Sequence, residues 1–378
     1  MDMSRGCLSS FLAWIKRRNE EDSDGYSSAK NIKLFSYEEL KAATKSFHAS
    51  NRIGRGGFGT VYKGTLKNGT EIAVKVLSAE SKQGIHEFLT EIDMITSVKH
   101  PNLVELIGCC VQGGNRILVY EYVENSSLDR ALLGSNIKSI RLDWVSRSAI
   151  CVGTAKGLAF LHEELEPHIV HRDIKASNIL LDRNLVPKIG DFGLAKLFPD
   201  NVSHLSTRVA GTAGYLAPEY AMLGQLTKKA DIYSFGVLML EIVSGRSSAK
   251  SNWSGIQKFL LEWAWQLYEE GRLLELVDSQ LEHCPEEEAL RFIKIALFCT
   301  QAAAKRRPSM TQVVAMLTKH TKLNDKLLTP PGIIQDLVGT GRCSKATNSS
   351  NSQNSSTVEL NGPPFTSSPI SVTQMNPR

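Results

Sequence analysis

Alternating apolar and polar positions predict strands in the first third of the chain. In residues 72–76 isoleucine and valine alternate with smaller or charged residues, which places Lys75 on the face opposite the apolar one. The pair Asn68-Gly69 comes before this run, and a second strand-like run, residues 61–66, comes before the pair. Asn-Gly between two such runs is a strong signal for a tight turn, so the pattern predicts a β-hairpin.

Apolar spacings of three and four residues, which are typical of helices, follow the hairpin. They begin in residues 84–98, and a further strand-like run covers residues 116–120. After about residue 127 the spacing is mostly helical, and the predicted helices cover residues 144–162, 230–244, 259–270, 286–300 and 310–319. The chain therefore predicts a small sheet-rich lobe followed by a larger helical lobe.

Composition narrows the class of protein. The chain has 378 residues, of which 42% are hydrophobic and 22% charged, which excludes a wholly disordered protein. Its length alone allows two or three domains. The net charge of +5 is small for this length and gives no support to nucleic-acid binding. The seven cysteines include no C-x-x-C pair, which argues against a disulfide framework and a structural zinc site.

The two ends of the chain differ from its middle. Residues 1–35 form a leader, and residues 323–378 form a Ser- and Asn-rich flexible tail that lacks the apolar residues of a core. The leader carries Cys7 and an amphipathic basic stripe at helical spacing, made of Leu8, Phe11, Leu12, Ile15, Lys16, Arg17 and Arg18. Two interpretations stay open: a segment that holds the protein on an anionic membrane surface, or a frayed leader with a chance stripe.

A glycine-rich segment suggests phosphate binding. Residues 54–61 follow the pattern G-x-G-x-x-G-x-V, and glycines let backbone N–H groups approach phosphate oxygens. The same spacing opens a dinucleotide-binding unit, but there the loop leads into a helix. Here it leads into a strand and the Asn-Gly hairpin, which favours a flap over a nucleotide. A glycine turn without a chemical role is the alternative.

Lys75 is the first charged candidate for a phosphate partner. A lysine on the inner face of a strand is costly unless it is paired, and the helix that follows offers Glu91. A solvated edge lysine and a surface helix carboxylate are the alternatives for these two residues.

A second group of polar residues lies farther along the chain. Asp173 can accept the proton of an incoming hydroxyl, Lys175 can neutralise a transferring phosphoryl group, and Asn178 can ligate a metal. Asp191 follows in an Asp-Phe-Gly turn and adds a second carboxylate. Such hard oxygen ligands suit Mg²⁺ or Mn²⁺ and not zinc.

Taken in order, these motifs resemble the signature set of the protein kinases. The resemblance covers about residues 36–320 and includes Ala-Pro-Glu at residues 217–219. It implies the α+β bilobal protein-kinase fold, with a small antiparallel-sheet N-lobe that carries one main helix (about 36–123) and a larger, mostly helical C-lobe (about 124–322). Residues 36–322 then form one kinase domain.

The resemblance can be narrowed to a group. His-Arg-Asp-Ile-Lys at residues 171–175 is typical of serine/threonine kinases. The segments that resemble plant receptor-like kinases of the RLK/Pelle group are residues 35–47, 118–122, 206–212 and 231–236. The overall run is similar to the cold-responsive protein kinase type. Because the sequence shows no ectodomain and no membrane span, we expect a receptor-like cytoplasmic kinase, with protein substrates and an upstream receptor kinase as partners.

The family implies roles for the charged residues. Lys75 would hold the α- and β-phosphates of ATP and pair with Glu91. Asp173 would be the catalytic base, and Lys175 would neutralise the γ-phosphate. The ligands of Mg²⁺, with Mn²⁺ as the alternative metal, would be Asn178 and Asp191.

The family also implies a nucleotide pocket. Val61 and Ala73 would lie above the adenine and Leu180 below it. Tyr120 would be the gatekeeper, and hinge backbone groups would come from Glu121 and Val123. The loop over the phosphates would comprise Ile53, Gly54, Arg55, Gly56, Gly57, Phe58, Gly59, Thr60 and Val61. Outside the pocket, Glu219 would form an ion pair with Arg307.

Arg172, directly before the catalytic base, predicts control by phosphorylation, since a buried guanidinium needs an anion. The candidate regulatory phosphosites are Ser203, Ser206, Thr207 and Thr212. The hypothesis is that a phosphate on Ser206 or Thr207 orders its segment against Arg172. Thr212 is assigned to substrate positioning by family analogy.

The sequence therefore predicts an active serine/threonine protein kinase that also phosphorylates itself. A kinase-fold scaffold that acts by binding alone is the alternative, and the complete set of catalytic residues argues against it. A small-molecule phosphotransferase would usually lack the long segment that ends in Ala-Pro-Glu, which is present here.

Overall fold

The computed structural model describes residues 32–333, except residues 57–58, 78–81, 97, 113, 135–139, 249–250, 254–255 and 320–321. Within these ranges the chain forms the two lobes that the sequence predicts, one built on a six-stranded sheet and one mostly helical. Residues 1–31 of the leader and 334–378 of the tail lie outside the described residues, and so does the leader's amphipathic stripe.

The sheet of the small lobe has the strand order β1-β5-β6-β4-β3-β2. Its strands are β1 (Lys33–Leu34), β2 (Arg52–Gly56), β3 (Gly59–Thr65), β4 (Glu71–Leu77), β5 (Leu106–Gln112) and β6 (Asn115–Glu121). Neighbouring strands are antiparallel, except β1 and β5, which are parallel. The predicted hairpin is confirmed, because β3 and β4 pair along their whole length and Gly69 has the positive φ of +85° that the turn requires.

Both faces of this sheet are covered. Among its described residues the small lobe has the helices α1 (Tyr37–Ala43) and α2 (Lys82–Ile95), and α2 begins and ends slightly earlier than the predicted helix over 84–98. On one face Ile72 and Val74 pack with Leu40 of α1, and all three are fully buried. The other face carries Lys75, as the alternation predicts, and is covered by α2.

The packed part of the small lobe begins before residue 36. β1 adds to the edge of β5, and Phe35 is buried in the cluster under α1. Gly108 permits this approach, because a Cβ there would lie 2.1 Å from the Lys33 carbonyl oxygen. The sequence assigns residues 32–35 to the leader, since a two-residue parallel strand leaves no local pattern.

The five predicted helices of the large lobe are all present, with ends that differ by a few residues. The lobe comprises α3 (Leu128–Leu133), α4 (Trp144–Ala159, continued by a wider turn over Phe160–Glu164), α5 (Pro218–Leu223), α6 (Lys228–Ser244), α7 (Leu260–Glu269), α8 (Glu286–Cys299) and α9 (Met310–Thr318). The two short ones, α3 and α5, span less than two turns and leave no periodic signal. α6 is buried on all sides from Ala230 to Ser244 and forms the centre of the lobe.

Short strand pairs hold the loops in which the polar residues lie. β7 (His168–Val170) pairs with β10 (Lys196–Phe198), and β8 (Ile179–Leu181) pairs with β9 (Pro187–Ile189). The other pairs are β11 (Leu205–Ser206) with β12 (Gln225–Leu226), and β13 (Ser251–Trp253) with β14 (Ile256–Lys258). The loop from β7 to β8 carries Asp173, and the loop after β9 carries Asp191, so both carboxylates lie in loops next to these strand pairs.

The packed part of the large lobe continues past residue 322. The Tyr233 hydroxyl on α6 donates a hydrogen bond to the Gly332 carbonyl oxygen at 2.5 Å, and the Gly332 N–H donates to Thr300 at 3.1 Å. Residues 323–333, which the sequence assigns to the tail, therefore include a segment that lies against the lobe.

Candidate active site

The glycine-rich segment lies at the turn between β2 and β3. The two strands are antiparallel, with Gly54 opposite Val61 and Gly56 opposite Gly59. Residues 57–58, which follow β2 in the sequence, lie outside the described residues. The same two strands carry the other predicted loop residues, Ile53, Arg55 and Thr60. The segment therefore leads from strand to strand, as a flap does, and not from strand to helix.

Lys75 is the centre of a buried charge cluster. Its ammonium donates hydrogen bonds to Glu91 on α2 and, at 2.7 Å, to Oδ1 of Asp191. Glu91 is fully buried, and only 8% of Lys75 is exposed. The ion pair that the sequence predicts is therefore present, and Asp191 joins it from the large lobe.

Lys75 and Asp191 hold each other in the charged form. Burial lowers the pKa of Lys75, but Asp191 and Glu91 raise it by more, so that the ammonium is favoured. Burial likewise raises the pKa of Asp191, but the Lys75 ammonium brings it below its usual value. Lys75 lies opposite Val61 of the glycine-rich segment, so this cation faces the neighbourhood in which a phosphate would lie.

Tyr120 makes a contact that the sequence does not predict. It lies on β6, opposite Ala73 on β4, and only 8% of it is exposed. Its hydroxyl donates a hydrogen bond to Oε2 of Glu91, while Lys75 donates to Oε1 of the same carboxylate. Tyr120, to which the family assigns the gatekeeper position, therefore also links α2 to the sheet by a hydrogen bond.

The residues assigned to the adenine and the hinge lie near the junction of the lobes. Val61, Ala73 and Leu180 are half-buried, on β3, β4 and β8. Glu121 is the last residue of β6, and its carboxylate binds Lys188 of the large lobe at 2.9 Å. Val123, which follows, is buried, and Leu180 forms a β-bridge with residue 127 just beyond it. The structure thus brings the predicted hinge and the predicted lower wall of the pocket together.

Asp173 is the centre of a second polar cluster. Its carboxylate accepts hydrogen bonds from the Thr212 hydroxyl at 2.7 Å, the Lys175 ammonium at 2.8 Å and the Asn178 amide nitrogen at 3.1 Å. Lys175 also donates to the Thr212 hydroxyl at 2.8 Å. The structure therefore joins two residues of the loop, Asp173 and Lys175, to Thr212, which the sequence places near them only by family analogy.

Asp231 holds the loop that carries Asp173, a role that sequence reasoning missed. It is fully buried on α6. Its Oδ2 accepts from the backbone N–H of His171 at 2.7 Å and from His162 Nε2 at 2.9 Å, and its Oδ1 accepts from the backbone N–H of Arg172 at 2.8 Å. The sequence contains Asp231 in the segment 231–236, which contributes to the resemblance to the family. That segment alone does not show which groups Asp231 contacts.

Arg172, on which the phosphorylation hypothesis depends, is buried and donates its hydrogen bonds to neutral oxygens. Its N–H groups donate to the Tyr220 hydroxyl at 2.5 and 3.0 Å, to the Leu194 carbonyl at 3.0 Å and to the Arg208 carbonyl at 2.8 Å. In the part of the chain that the structure describes, no carboxylate lies within ion-pair distance of it. Neutral oxygens, distant in sequence, satisfy these donors in this conformation. Control of Arg172 by a phosphate stays a prediction.

The candidate phosphosites lie at different depths. Ser203 and Ser206 are exposed, and Ser206 belongs to β11. Thr207 is half-buried, and its N–H donates to the Gly224 carbonyl at 3.1 Å. Thr212 is buried in the Asp173 cluster. An enzyme could therefore reach the two serines in this conformation but not Thr212, and phosphorylation of any of them stays a prediction.

The ion pair expected between Glu219 and Arg307 is present. The guanidinium donates to both carboxylate oxygens, at 2.6 and 2.8 Å. Arg307 is 1% exposed and also donates to the carbonyls of Gln301 and Lys229. This two-point contact secures α5, and with it the end of the segment that contains Thr212.

A second carboxylate, Glu241, contacts that segment and is buried. Glu241 on α6 is 1% exposed and accepts hydrogen bonds from the Tyr215 hydroxyl at 2.5 Å and the Ser248 N–H at 2.6 Å. Burial raises the pKa of Glu241 to about 7, although both hydrogen bonds oppose the rise. The carboxyl therefore changes charge near neutral pH while it holds a residue close to Thr212.

We expect Glu241→Gln to remove a pH dependence of stability. The folded state holds a proton on Glu241 that the unfolded state releases above about pH 4.5, so the free energy of unfolding falls as the pH rises toward 7. The loss amounts to roughly 3 kcal/mol. Urea unfolding at pH 5, 6, 7 and 8 should show this slope in the wild type and in the exposed control Glu275→Gln, but not in Glu241→Gln. An equal dependence of the free energy of unfolding on pH in all three proteins would contradict the role of Glu241.

Comparison with known proteins agrees with this geometry. The family model "Protein tyrosine and serine/threonine kinase" matches residues 47–317. Cold-responsive protein kinase 1 of Arabidopsis thaliana is 57% identical over 332 residues, which cover 86% of this chain and 85% of that protein. A probable LRR receptor-like serine/threonine-protein kinase of the same plant is 53% identical over 323 residues, and the chain spans only 31% of its length. The chain belongs to the protein kinase family, within the plant receptor-like (RLK/Pelle) group.

Proposed function

We propose that this serine/threonine protein kinase transfers the γ-phosphoryl group of ATP to protein hydroxyls, including its own, through the cleft between Lys75 and Asp173. The observation that carries the proposal is the Asp173 cluster. The Asp173 carboxylate, the Lys175 ammonium and the Thr212 hydroxyl lie within hydrogen-bond distance of one another. The second cluster, in which Lys75 contacts Asp191, supplies a further carboxylate. The relatives' names, which describe serine/threonine-protein kinases, support the same activity.

Each residue has a proposed role. Asp173 accepts the proton of the attacking hydroxyl, and Lys175 neutralises charge on the transferred group. Lys75, held by Glu91, binds the α- and β-phosphates. Thr212, which touches both Asp173 and Lys175, positions the substrate hydroxyl. The glycine-rich strands, the residues around Ala73 and Leu180, and the hinge after Tyr120 form the nucleotide pocket.

The residues fit a bound Mg²⁺, with Mn²⁺ as the alternative. Asn178 uses its amide nitrogen to bond Asp173, so its carbonyl oxygen is the atom that remains for a metal. Asp191 is held in the anionic form by Lys75, and only one of its oxygens contacts that lysine. An amide oxygen and a carboxylate are ligands that hard cations prefer. When bound there, the metal would neutralise the β- and γ-phosphates of ATP.

The metal proposal predicts a selective change in Asp191→Asn. We expect transfer to stop on EDTA addition and to return with Mg²⁺, and the Mg²⁺ concentration that gives half-maximal rate to rise about ten-fold or more in the variant, because a neutral amide binds the cation more weakly. The exposed control Asp200→Asn should keep the wild-type requirement. An unchanged requirement in Asp191→Asn would contradict the assignment.

The proposed partners are protein substrates and an upstream receptor kinase, and the proposed place of action is the cytoplasm. Within residues 32–333, apart from the gaps given above, no helix is long and apolar enough to cross a membrane.

The basic stripe of residues 8–18 supports attachment to the inner face of the plasma membrane. Flotation of the full chain and of a variant lacking residues 1–20 on vesicles with anionic lipid tests this, and equal binding would exclude the leader as the anchor.

Phosphosite mapping after incubation with ATP and Mg²⁺ tests the proposed activity. We expect incorporated phosphate on serine and threonine and none in a reaction without metal. The alternative, a kinase-fold scaffold, predicts ATP-independent binding of partners and no phosphate in any reaction. The Asp173 cluster argues against the scaffold, since a protein that only binds has no use for three charged or polar side chains arranged around one carboxylate.

A further inference from the structure

The first part of the C-terminal tail is bound to the large lobe. The Thr329 hydroxyl donates a hydrogen bond to the side-chain oxygen of Gln301 at 2.9 Å, and Gln301 also forms an antiparallel β-bridge with Pro331. The Ala302 N–H donates to the Pro330 carbonyl at 3.2 Å. The start of the tail therefore lies antiparallel to the chain that follows α8.

Gly332 brings the tail against α5. Its N–H donates to the Thr300 carbonyl at 3.1 Å, and its own carbonyl accepts from the Tyr233 hydroxyl at 2.5 Å. A Cβ on Gly332 would lie 2.5 Å from Cγ of Pro218, the first residue of α5, so a larger residue would force the tail and the helix apart. Ile333, which follows, is half-buried against the core. Where the described residues end, the tail therefore lies beside the start of α5.

The side of α5 that meets the tail continues into exposed apolar side chains. Met222 is 71% exposed and Leu223 is 65% exposed. Met222 follows Pro218 at a spacing of four residues, which places both on one face of the helix, about 6 Å apart along its axis. Tyr220, on the opposite side, is 1% exposed. A segment that covered Met222 and Leu223 would remove apolar surface from water, which is favourable.

The residues that follow Ile333 in the sequence suit such a face. Residues 334–338 read Ile-Gln-Asp-Leu-Val, and the apolar ones among them recur at spacings of three and four residues, typical of one helical face. Residues 339–357 contain no leucine, isoleucine, valine, methionine or aromatic residue. Five extended residues span at most about 17 Å, so residues 334–338 can reach Met222 from the fixed end of the tail. The apolar run is therefore confined to the part of the tail that lies within reach of α5.

The attachment of the tail favours it over other occupants of this face. A second copy of the chain or a different protein would have to bind from solution. A segment joined by a short link to the same helix has an effective concentration in about the millimolar range. Gly332 fixes this link at the first turn of α5. The tail therefore has an advantage that no separate chain shares.

We propose that residues 334–338 pack over Met222 and Leu223, so that the tail holds α5 along its length. Because α5 directly follows the segment that carries Thr212, the tail slows local opening of the end of that segment. The inference concerns a contact within the chain and does not depend on the proposed phosphoryl transfer.

Amide hydrogen exchange on the full chain is the first test. The test variant combines Leu337→Ser with Val338→Ser. The matched control combines Val358→Ser with Leu360→Ser, which makes the same kind of change farther along the tail. Exchange is followed in peptides that cover residues 219–224.

The expected result is a local change in α5. Exchange in residues 219–224 becomes at least about five-fold faster in the test variant and stays within about two-fold of wild type in the control. Wild-type exchange in the test variant, or an equal rise in both variants, would overturn the proposal.

Photo-crosslinking identifies the occupant directly. Benzoylphenylalanine in place of Leu337 keeps an apolar side chain at that position, and benzoylphenylalanine in place of Leu360 is the control. We expect the first to crosslink within one chain to the peptide that contains Met222, and the second not to do so. The crosslink should be lost when Met222→Ser and Leu223→Ser are introduced together.

Two crosslinking results would contradict the proposal. A crosslinked dimer whose yield rises with protein concentration would assign the face of α5 to a second copy of the chain. The absence of any crosslink between position 337 and α5 would leave the face to a different protein.

Discussion

Replacing Asp173 by asparagine should reduce kcat for phosphoryl transfer by about a hundred-fold to ten-thousand-fold, the usual contribution of a positioned general base. The change leaves the side chain's size and one acceptor oxygen but removes the basicity. It also removes the negative charge that the Lys175 ammonium contacts at 2.8 Å. Because Lys75 and Asp191 lie in the other cluster, KM for ATP should change by less than about three-fold.

The measurement is initial-rate kinetics with a protein substrate, alongside a melting curve for each protein. Asp182→Asn is the matched control, because Asp182 Oδ1 accepts the Asn184 and Val186 N–H groups of an exposed turn at 2.8 Å, and asparagine can do the same. That control should keep the wild-type kcat. A value within ten-fold of wild type in Asp173→Asn would mean that another group accepts the proton.

Features with a local pattern were predictable from the sequence. The hairpin at Asn68-Gly69 and the ion pair of Lys75 with Glu91 follow from turn chemistry, strand alternation and the cost of burying an unpaired lysine. The polar residues of the cluster at 173–178 likewise lie within one short segment of the sequence. The hairpin and the polar segment are set by residues close in sequence, so the sequence shows them directly. The partner of Lys75 lies sixteen residues away on the next helix, so the sequence offers Glu91 as a candidate only.

Contacts between distant parts of the chain were not predictable in the same way. The sequence does not show that Tyr220 meets Arg172, or that the Tyr120 hydroxyl meets Glu91, because neither pair shares a helical or strand period. The neutral partners of Arg172 were not predictable for the same reason. The principle that a buried guanidinium needs acceptors is sound, but tertiary packing decides whether the acceptors are anions or neutral oxygens.

Among the contacts between distant parts of the chain, those of Asp231 have the largest expected effect on stability. Its two carboxylate oxygens accept three hydrogen bonds, from the backbone N–H groups of His171 and Arg172 and from the ring of His162. Burial raises the pKa of Asp231, but the bond from His162 and the other donors bring it below its usual value, so the carboxylate is charged in the folded protein.

We expect Asp231→Asn to lower the free energy of unfolding by about 3 kcal/mol. An amide offers one acceptor oxygen and places an NH₂ group where the second oxygen was, so at least one N–H of the catalytic loop loses its acceptor. Arg172, whose φ of +71° this contact holds, should then relax, and kcat should fall together with stability. Urea unfolding and initial rates on the same samples measure both effects.

The control for this change is Asp143→Asn at the N-terminus of α4. Asp143 accepts the Ser146 N–H at 2.8 Å as a helix cap, and asparagine caps a helix equally well, so stability should stay within about 0.5 kcal/mol of wild type. A loss below about 1 kcal/mol in Asp231→Asn would show that the loop holds its shape without the carboxylate. The expected loss with a parallel fall in kcat would instead show that the buried end of α6, and not the loop's own sequence, sets the geometry around Asp173.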